Sequence, residues 1–213
     1  MALIKKVSLV SPEDSPVVLA AEVIQAGGIV VYPTETLYGI GGNALDARAI
    51  QRVRSVKKRK DHKPILVIVP TIEAVAPLVR EIPAAAEVLM KTFWPGALTL
   101  VFKASETVPP ELMEGSSTIG VRVPSSPLCI KLLILAGVPI TSTSANISGE
   151  QPQRSIKEIK TALASGVDLY LDGGTLPESK PSTVVDVSDG LPRVLREGAI
   201  SVDQIRALIP DIR

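Results

Sequence analysis

Ile29-Val30-Val31-Tyr32-Pro33-Thr34-Glu35-Thr36-Leu37-Tyr38-Gly39-Ile40-Gly41-Gly42 begins as an uninterrupted apolar run and ends rich in hydroxyls and glycine. The first four residues, bounded by Gly27-Gly28 and Pro33, have the length and composition of a buried strand. Pro33 to Gly42 reads as a loop leaving that strand and leading towards a helix, which is where α/β folds place their ligands. Upstream, Ser15-Pro16 supplies a cap and a first-turn proline for a helix that closes at Gly27-Gly28. Downstream, Asp46 caps a helix carrying Ile50, Val53 and Val56 on one side, and Ile65 to Val69 is another apolar run of strand length. The order is β-α-β.

The same reading gives a helix from Pro83 to Phe93, strands at Leu98 to Phe102 and Ile119 to Val123, a helix near Leu128 to Ala136 and a strand around Val138 to Thr141. Ser155-x-x-Glu158 and Ser201-x-x-Gln204 are capping-box signatures for two later helices. Between them, Asp168 to Leu171, Thr183 to Val187 and Arg193 to Leu195 are strand-like. Strands outnumber helices in places, so the expectation is a single-domain α/β protein over residues 1–213. Its sheet should be twisted and mixed, with helices flanking it. Leu176 to Pro181 is the one soft stretch.

With 46% hydrophobic and 21% charged residues, the chain has the composition of a globular protein with a sizeable core. Its single cysteine, Cys129, excludes an internal disulfide and fits a reducing, cytoplasmic setting. Met1 to Ser15 lacks the apolar core of a signal peptide, and no run of about 18 uncharged apolar residues follows, so no membrane span is expected. One histidine and one cysteine cannot build a His/Cys zinc site. A Ser-His-Asp arrangement would have to use His62, which stands among lysines.

Charge is concentrated in Arg52-Val-Arg54-Ser-Val-Lys57-Lys58-Arg59-Lys60-Asp61-His62-Lys63. The run suits phosphate or nucleic acid, and it equally suits a solvated helix end, where cations favour the C-terminal dipole. Gly39-x-Gly41-x-x-Ala44 approaches a dinucleotide fingerprint, but six residues separate Tyr32 from the first glycine, against a Rossmann site. No G-x-x-x-x-G-K-[ST] occurs. Thr141-Ser142-Thr143-Ser144-Ala145-Asn146-Ile147-Ser148-Gly149 gathers hydroxyls, an amide and backbone N–H groups that can surround an anion or simply close a turn. In Thr118-Ile-Gly-Val-Arg122-Val-Pro124, strand alternation puts Thr118, Gly120 and Arg122 on one face and Ile119, Val121 and Val123 on the other. An arginine there needs an anionic partner, either a ligand or a buried acid such as Asp186.

Taken in order, these pieces resemble the YrdC-like family of threonylcarbamoyl-AMP synthases. The likeness spans residues 33–200 and rests on eight motifs: Pro33-Thr-Glu-Thr-x-Tyr-Gly, Lys57-x-Arg59 with Lys63-Pro64, Phe93-Trp-Pro-Gly, Thr118-x-Gly-Val-Arg-x-Pro, Ser144-Ala-Asn-x-Ser-Gly, Asp172-Gly-Gly, Pro181-Ser-Thr-Val-Val-Asp and Leu195-Arg-x-Gly-Ala-Ile200. The resemblance implies a YrdC-like fold with a concave basic cleft, and the length implies the short form without the extra C-terminal domain of long forms. It implies synthesis of threonylcarbamoyl-AMP from ATP, bicarbonate and L-threonine, with Mg2+ as helper. A downstream threonylcarbamoyl transferase complex would use the product on tRNA. On the family's pattern Lys57 and Arg59 face the ATP phosphates as the catalytic pair. Lys63, Thr118, Ser144, Asn146 and Arg196 fall on other nucleotide positions, while Thr36, Arg122, Ser142 and Ser182 fall where threonine is held. Glu35 is the nearest loop carboxylate, open to magnesium, a cap or an ion pair.

Lys60, Ile68 and Ser126 depart from the pattern: the first position is often proline, some relatives have a histidine near threonine at the second, and histidine is frequent at the third. A related subgroup shares the fold but lacks the Ser-Ala-Asn segment, so Ser144-Ala145-Asn146 favours the synthase. The rival class is a non-catalytic module binding tRNA or double-stranded RNA through the same basic cleft. It needs no threonine pocket, and no aromatic residue interrupts the basic run for base stacking. Carbamoyl transfer, seen where this fold is fused to larger enzymes, is a further alternative.

Overall fold

The computed structural model describes residues 2–58, 64–163 and 165–213. Among the described residues the strands divide between a five-stranded and a six-stranded mixed sheet, so the mixed α/β class expected from sequence is built as two sheets. The first sheet is ordered β1 (Leu3–Lys6), β9 (Leu169–Asp172), β2 (Val30–Pro33), β3 (Tyr38–Gly41), β8 (Thr143–Ser144). The second is ordered β11 (Arg193–Arg196), β10 (Thr183–Asp186), β5 (Leu98–Lys103), β6 (Thr118–Arg122), β4 (Val67–Ile68), β7 (Ile140–Thr141).

The stretch read as a loop contains a strand: β3 returns antiparallel on β2, pairing Val30 with Gly41 and Pro33 with Tyr38. Thr34 closes the turn. Its hydroxyl accepts from the N–H groups of Thr36 and Leu37, both at 3.1 Å, and donates to the Leu37 carbonyl at 2.7 Å. Gly41 hides this strand from sequence reading, yet the packing needs it, because a Cβ there would run into the Thr141 carbonyl. That close approach joins the sheets. β7 belongs to one and β8 to the other, and only Ser142 lies between them.

β2 is buried on both faces, which explains its continuous apolar run. Val30 and Tyr32 pack with α1 (Asp14–Gln25) and α5 (Pro127–Ala136), while Val31 faces the larger core holding α2 (Ala47–Val56), α3 (Ala84–Phe93) and most of β5 and β6. Burying each such valine or leucine contributes about 1.5–3 kcal/mol. The Asp46 carboxylate accepts the Arg48 N–H at 2.9 Å to start α2, and Ser201 and Gln204 form the capping box of α7 (Val202–Arg206). Ser155 and Glu158 likewise cap α6 (Ile156–Leu163), with α4 (Pro110–Met113) the remaining short helix. α1 begins at Asp14, after a Glu13 cap residue whose side chain makes no capping bond, and not at Ser15. β1 was not foreseen, because all four of its residues are exposed and show no alternation. Among the described residues no helix is long and apolar enough to cross a membrane.

Candidate functional site

A cavity of about 950 Å³ opens where the two sheets meet. Tyr38 and Gly39 of β3 line one side, with Thr34 and Thr36 from the turn. β5, β6 and β10 contribute Thr99, Thr118, Gly120, Arg122, Val184 and Asp186, and Ser142 to Ser144 form the seam between the sides. Alternation in β6 works as the sequence implied: Ile119, Val121 and Val123 enter the core while Thr118, Gly120 and Arg122 reach the cavity.

Arg122 is 6% exposed, and its Nη1 stands 3.4 Å from Glu35 Oε1. Its partner among the described acids is therefore Glu35. Asp186 instead pairs with Arg193 at 3.4 Å and accepts the Ser188 hydroxyl at 2.7 Å. The Glu35 carboxylate faces a guanidinium, so of its three sequence alternatives the ion pair is the one formed here.

A second guanidinium, Arg196, is fixed from behind. Its Nε and Nη2 donate to the Ser182 carbonyl at 3.2 and 2.8 Å, and Nη2 also reaches Ser182 Oγ at 3.2 Å. The Ser182 hydroxyl is held in turn by Thr99 at 3.0 Å. Burial and then the charge of Arg122 lower the Arg196 pKa, so an anion between the two would relieve an existing repulsion. Thr36 is held by Thr34 at 3.1 Å and by Ser179, whose hydroxyl donates to its carbonyl.

Seven of the residues expected from sequence line this one cavity: Thr36, Thr118, Arg122, Ser142, Ser144, Ser182 and Arg196. Arg59 and Lys63 lie outside the described residues, as do Lys60 and His62. Lys57 and Asn146 are not on the cavity surface. Lys57 follows α2 as its C-terminal cap residue, is 2% exposed, and donates from Nζ to the carbonyls of Ser144 and Asn146, the latter at 2.7 Å. It was expected to face phosphate. A buried ammonium satisfies its N–H groups locally, and two of them go to the segment that carries Ser144. Asn146 braces the same segment, its amide donating to the carbonyls of Ile147 and Glu150 at 2.8 and 2.7 Å.

Sequence reasoning missed Arg154, Glu178 and Ser179, which also line the cavity. Arg154 ties two loops together: its carbonyl accepts the Leu176 N–H at 2.9 Å and its Nε donates to the Leu176 carbonyl at 2.8 Å. The soft stretch Leu176 to Pro181 was the available signal, since it forms this wall. Tyr38 anchors the facing loop, accepting the Gly173 N–H at 3.0 Å and donating to the Gly174 carbonyl at 2.7 Å, and burial pushes its phenol up to about 12. Ile68 also lines the cavity, while Ser126 caps α5 by accepting the Cys129 N–H at 3.4 Å. No group of three or more His, Cys, Asp or Glu side chains suited to a metal occurs among the described residues.

This geometry has solved and curated counterparts. The chain is 37% identical over 201 residues to the threonylcarbamoyl-AMP synthase of Pyrococcus abyssi, matching 94% of its own length and 59% of that relative's. It thus spans about three fifths of that protein. The structure of P. abyssi Sua5 complexed with L-threonine superposes with a TM-score of 0.94 at 36% identity, over 100% of this chain and 62% of the other. Escherichia coli YciO superposes with a TM-score of 0.88 at 32% identity, over 96% of this chain and 100% of the other. The family profile described as "Telomere recombination", which groups Sua5, YciO and YrdC, matches residues 22–198, and the chain belongs to that family.

Proposed function

We propose that this protein is a nucleotidyltransferase that makes threonylcarbamoyl-AMP and pyrophosphate from L-threonine, bicarbonate and ATP. The observation that carries the reading is the buried guanidinium of Arg122 and the guanidinium of Arg196, anchored on Ser182, in one cavity with the hydroxyls of Thr36, Ser142 and Ser182. A planar guanidinium suits a carboxylate at two points, and neighbouring hydroxyls suit a small hydroxylated amino acid. P. abyssi Sua5, so similar in fold, has been solved with L-threonine. Thr118, Ser144 and Arg196 are assigned to the nucleotide, and Arg59 and Lys63 to its phosphates on the family pattern. Lys57 and Asn146 act by holding the Ser144 segment.

In the reaction the neutral threonine amine adds to the carbon of bicarbonate-derived CO2, losing a proton and leaving a carbamate, with water as the by-product of bicarbonate dehydration. A carbamate oxygen then attacks the α-phosphorus of ATP, and the bond from that phosphorus to the bridging oxygen breaks to release pyrophosphate. Catalysis rests on alignment and on fixed positive charge, so no nucleophilic side chain is required. Glu35 is engaged with Arg122, and the described residues offer no three-ligand cluster, so Mg2+ fits as an ion carried in on the ATP phosphates. The product would pass to a threonylcarbamoyl transferase complex for tRNA modification.

The test is incubation of purified protein with ATP, Mg2+, bicarbonate and threonine, reading pyrophosphate and the adenylate. Pyrophosphate release should depend on both threonine and bicarbonate. Serine should substitute poorly and valine worse, because valine leaves hydroxyl-reading groups unpaired. Release that ignores threonine, or equal use of valine, overturns the reading.

A further inference from the structure

Glu35 occupies the turn between β2 and β3, and both of its carboxylate oxygens are closed to solvent. Neither accepts a hydrogen bond. A carboxylate so placed is costly unless an opposite charge compensates it, and replacing such a pair by apolar groups often stabilises a protein. Here the compensation is Arg122 at 3.4 Å. The carboxylate also influences the Tyr32 phenol and the Cys129 thiol, and burial pushes that thiol up to about 12, so it stays neutral. Arg122 in turn donates no hydrogen bond to any described residue, although it is 6% exposed and lines the cavity. The pair is thus an ionic contact without a shared hydrogen bond. Glu35 holds the guanidinium by charge and leaves its N–H groups for something in the cavity.

We infer that Glu35 is a positioning residue for substrate recognition, setting the rotation of Arg122 so that its N–H edge meets the amino-acid carboxylate. This rests on the threonine reading above. The adjoining Thr34 makes the role local: its hydroxyl fixes the turn through Thr36 and Leu37, so Glu35 is presented from a rigid element.

A double-mutant cycle tests the inference, because residues that act through one another give non-additive effects. Glu35→Gln should raise the KM for threonine about tenfold while leaving the KM for ATP within about twofold. In an Arg122→Lys background the same change should alter the threonine KM by less than about twofold, since no guanidinium remains to be oriented. Should Glu35→Gln fail to fold, Glu35→Asp retains the charge but withdraws the carboxylate, and should raise the threonine KM alone. Threonine-induced thermal stabilisation gives a parallel reading independent of turnover. Additive penalties, an equal rise in both KM values, or a wild-type threonine KM in Glu35→Asp overturn the inference while leaving the synthase reading intact. Wild-type protein that neither uses nor binds threonine sinks the synthase reading, and this inference with it.

Discussion

Lys57 and Arg122 are both cations removed from water, at 2% and 6% exposure, and both fall in motifs that suggest contact with a ligand. Their surroundings separate them. Lys57 gives its ammonium to the carbonyls of Ser144 and Asn146, behind the cavity wall. Arg122 has an opposing charge in Glu35 but no hydrogen-bond acceptor among the described residues, and it stands on the cavity surface. Burial alone therefore does not mark a binding residue; the destination of each N–H does. A cation that gives donors to backbone helps to hold the wall, and one with donors left over has them to offer to a ligand.

The strongest way to break this contrast is Lys57→Met, which keeps the length of the side chain and removes its donors. Two carbonyls would lose charged donors, and stability to urea should fall by about 3 kcal/mol. Unchanged stability with a collapse of ATP affinity would return Lys57 to the phosphates. Arg122→Lys should do the reverse. Its melting temperature should stay near that of the parent, while the threonine KM rises about tenfold or more and the ATP KM holds, because lysine retains the charge but not the two-point fork. A large fall in melting temperature with unchanged threonine dependence would make Arg122 structural. The smallest effect concerns the far side of the Arg122–Glu35 pair, where Cys129 is fully buried. Its raised pKa keeps it protonated through pH 8, so iodoacetamide should leave the folded protein unlabelled and label it only in denaturant. Rapid labelling of folded protein would show that this side is open.

Much of the fold was legible wherever a local signal coincided with burial. Asp46, Ser155 and Ser201 cap the helices their sequence patterns announced, and the apolar runs at Leu98 and Ile119 became β5 and β6. Legibility failed where the cause lay far along the chain. β3 turns back on β2 and also pairs with β8, and Gly41 admits the Thr141 backbone about a hundred residues away, a contact no window of sequence contains. The division into two sheets has the same origin. Within the site, alternation in β6 predicted the direction of Arg122 but not that its acid would be Glu35 in preference to Asp186. Arg154 and Ser179 were hidden because they sit in loops that converge only in three dimensions.

The single residue between β7 and β8 gives the hydroxyl segment an unusual sensitivity. Since neighbouring side chains of an extended chain point to opposite sides, Thr141 and Ser142 hand the backbone from one sheet to the other with no slack to absorb a miscount. One added residue would turn Ser144 away from the cavity and pull its carbonyl off Lys57, whereas exchanging one small hydroxyl for another would leave the frame in place. The segment therefore depends on its spacing before its letters: a small hydroxyl can be exchanged, but an insertion or deletion there would shift the reading frame of the site itself.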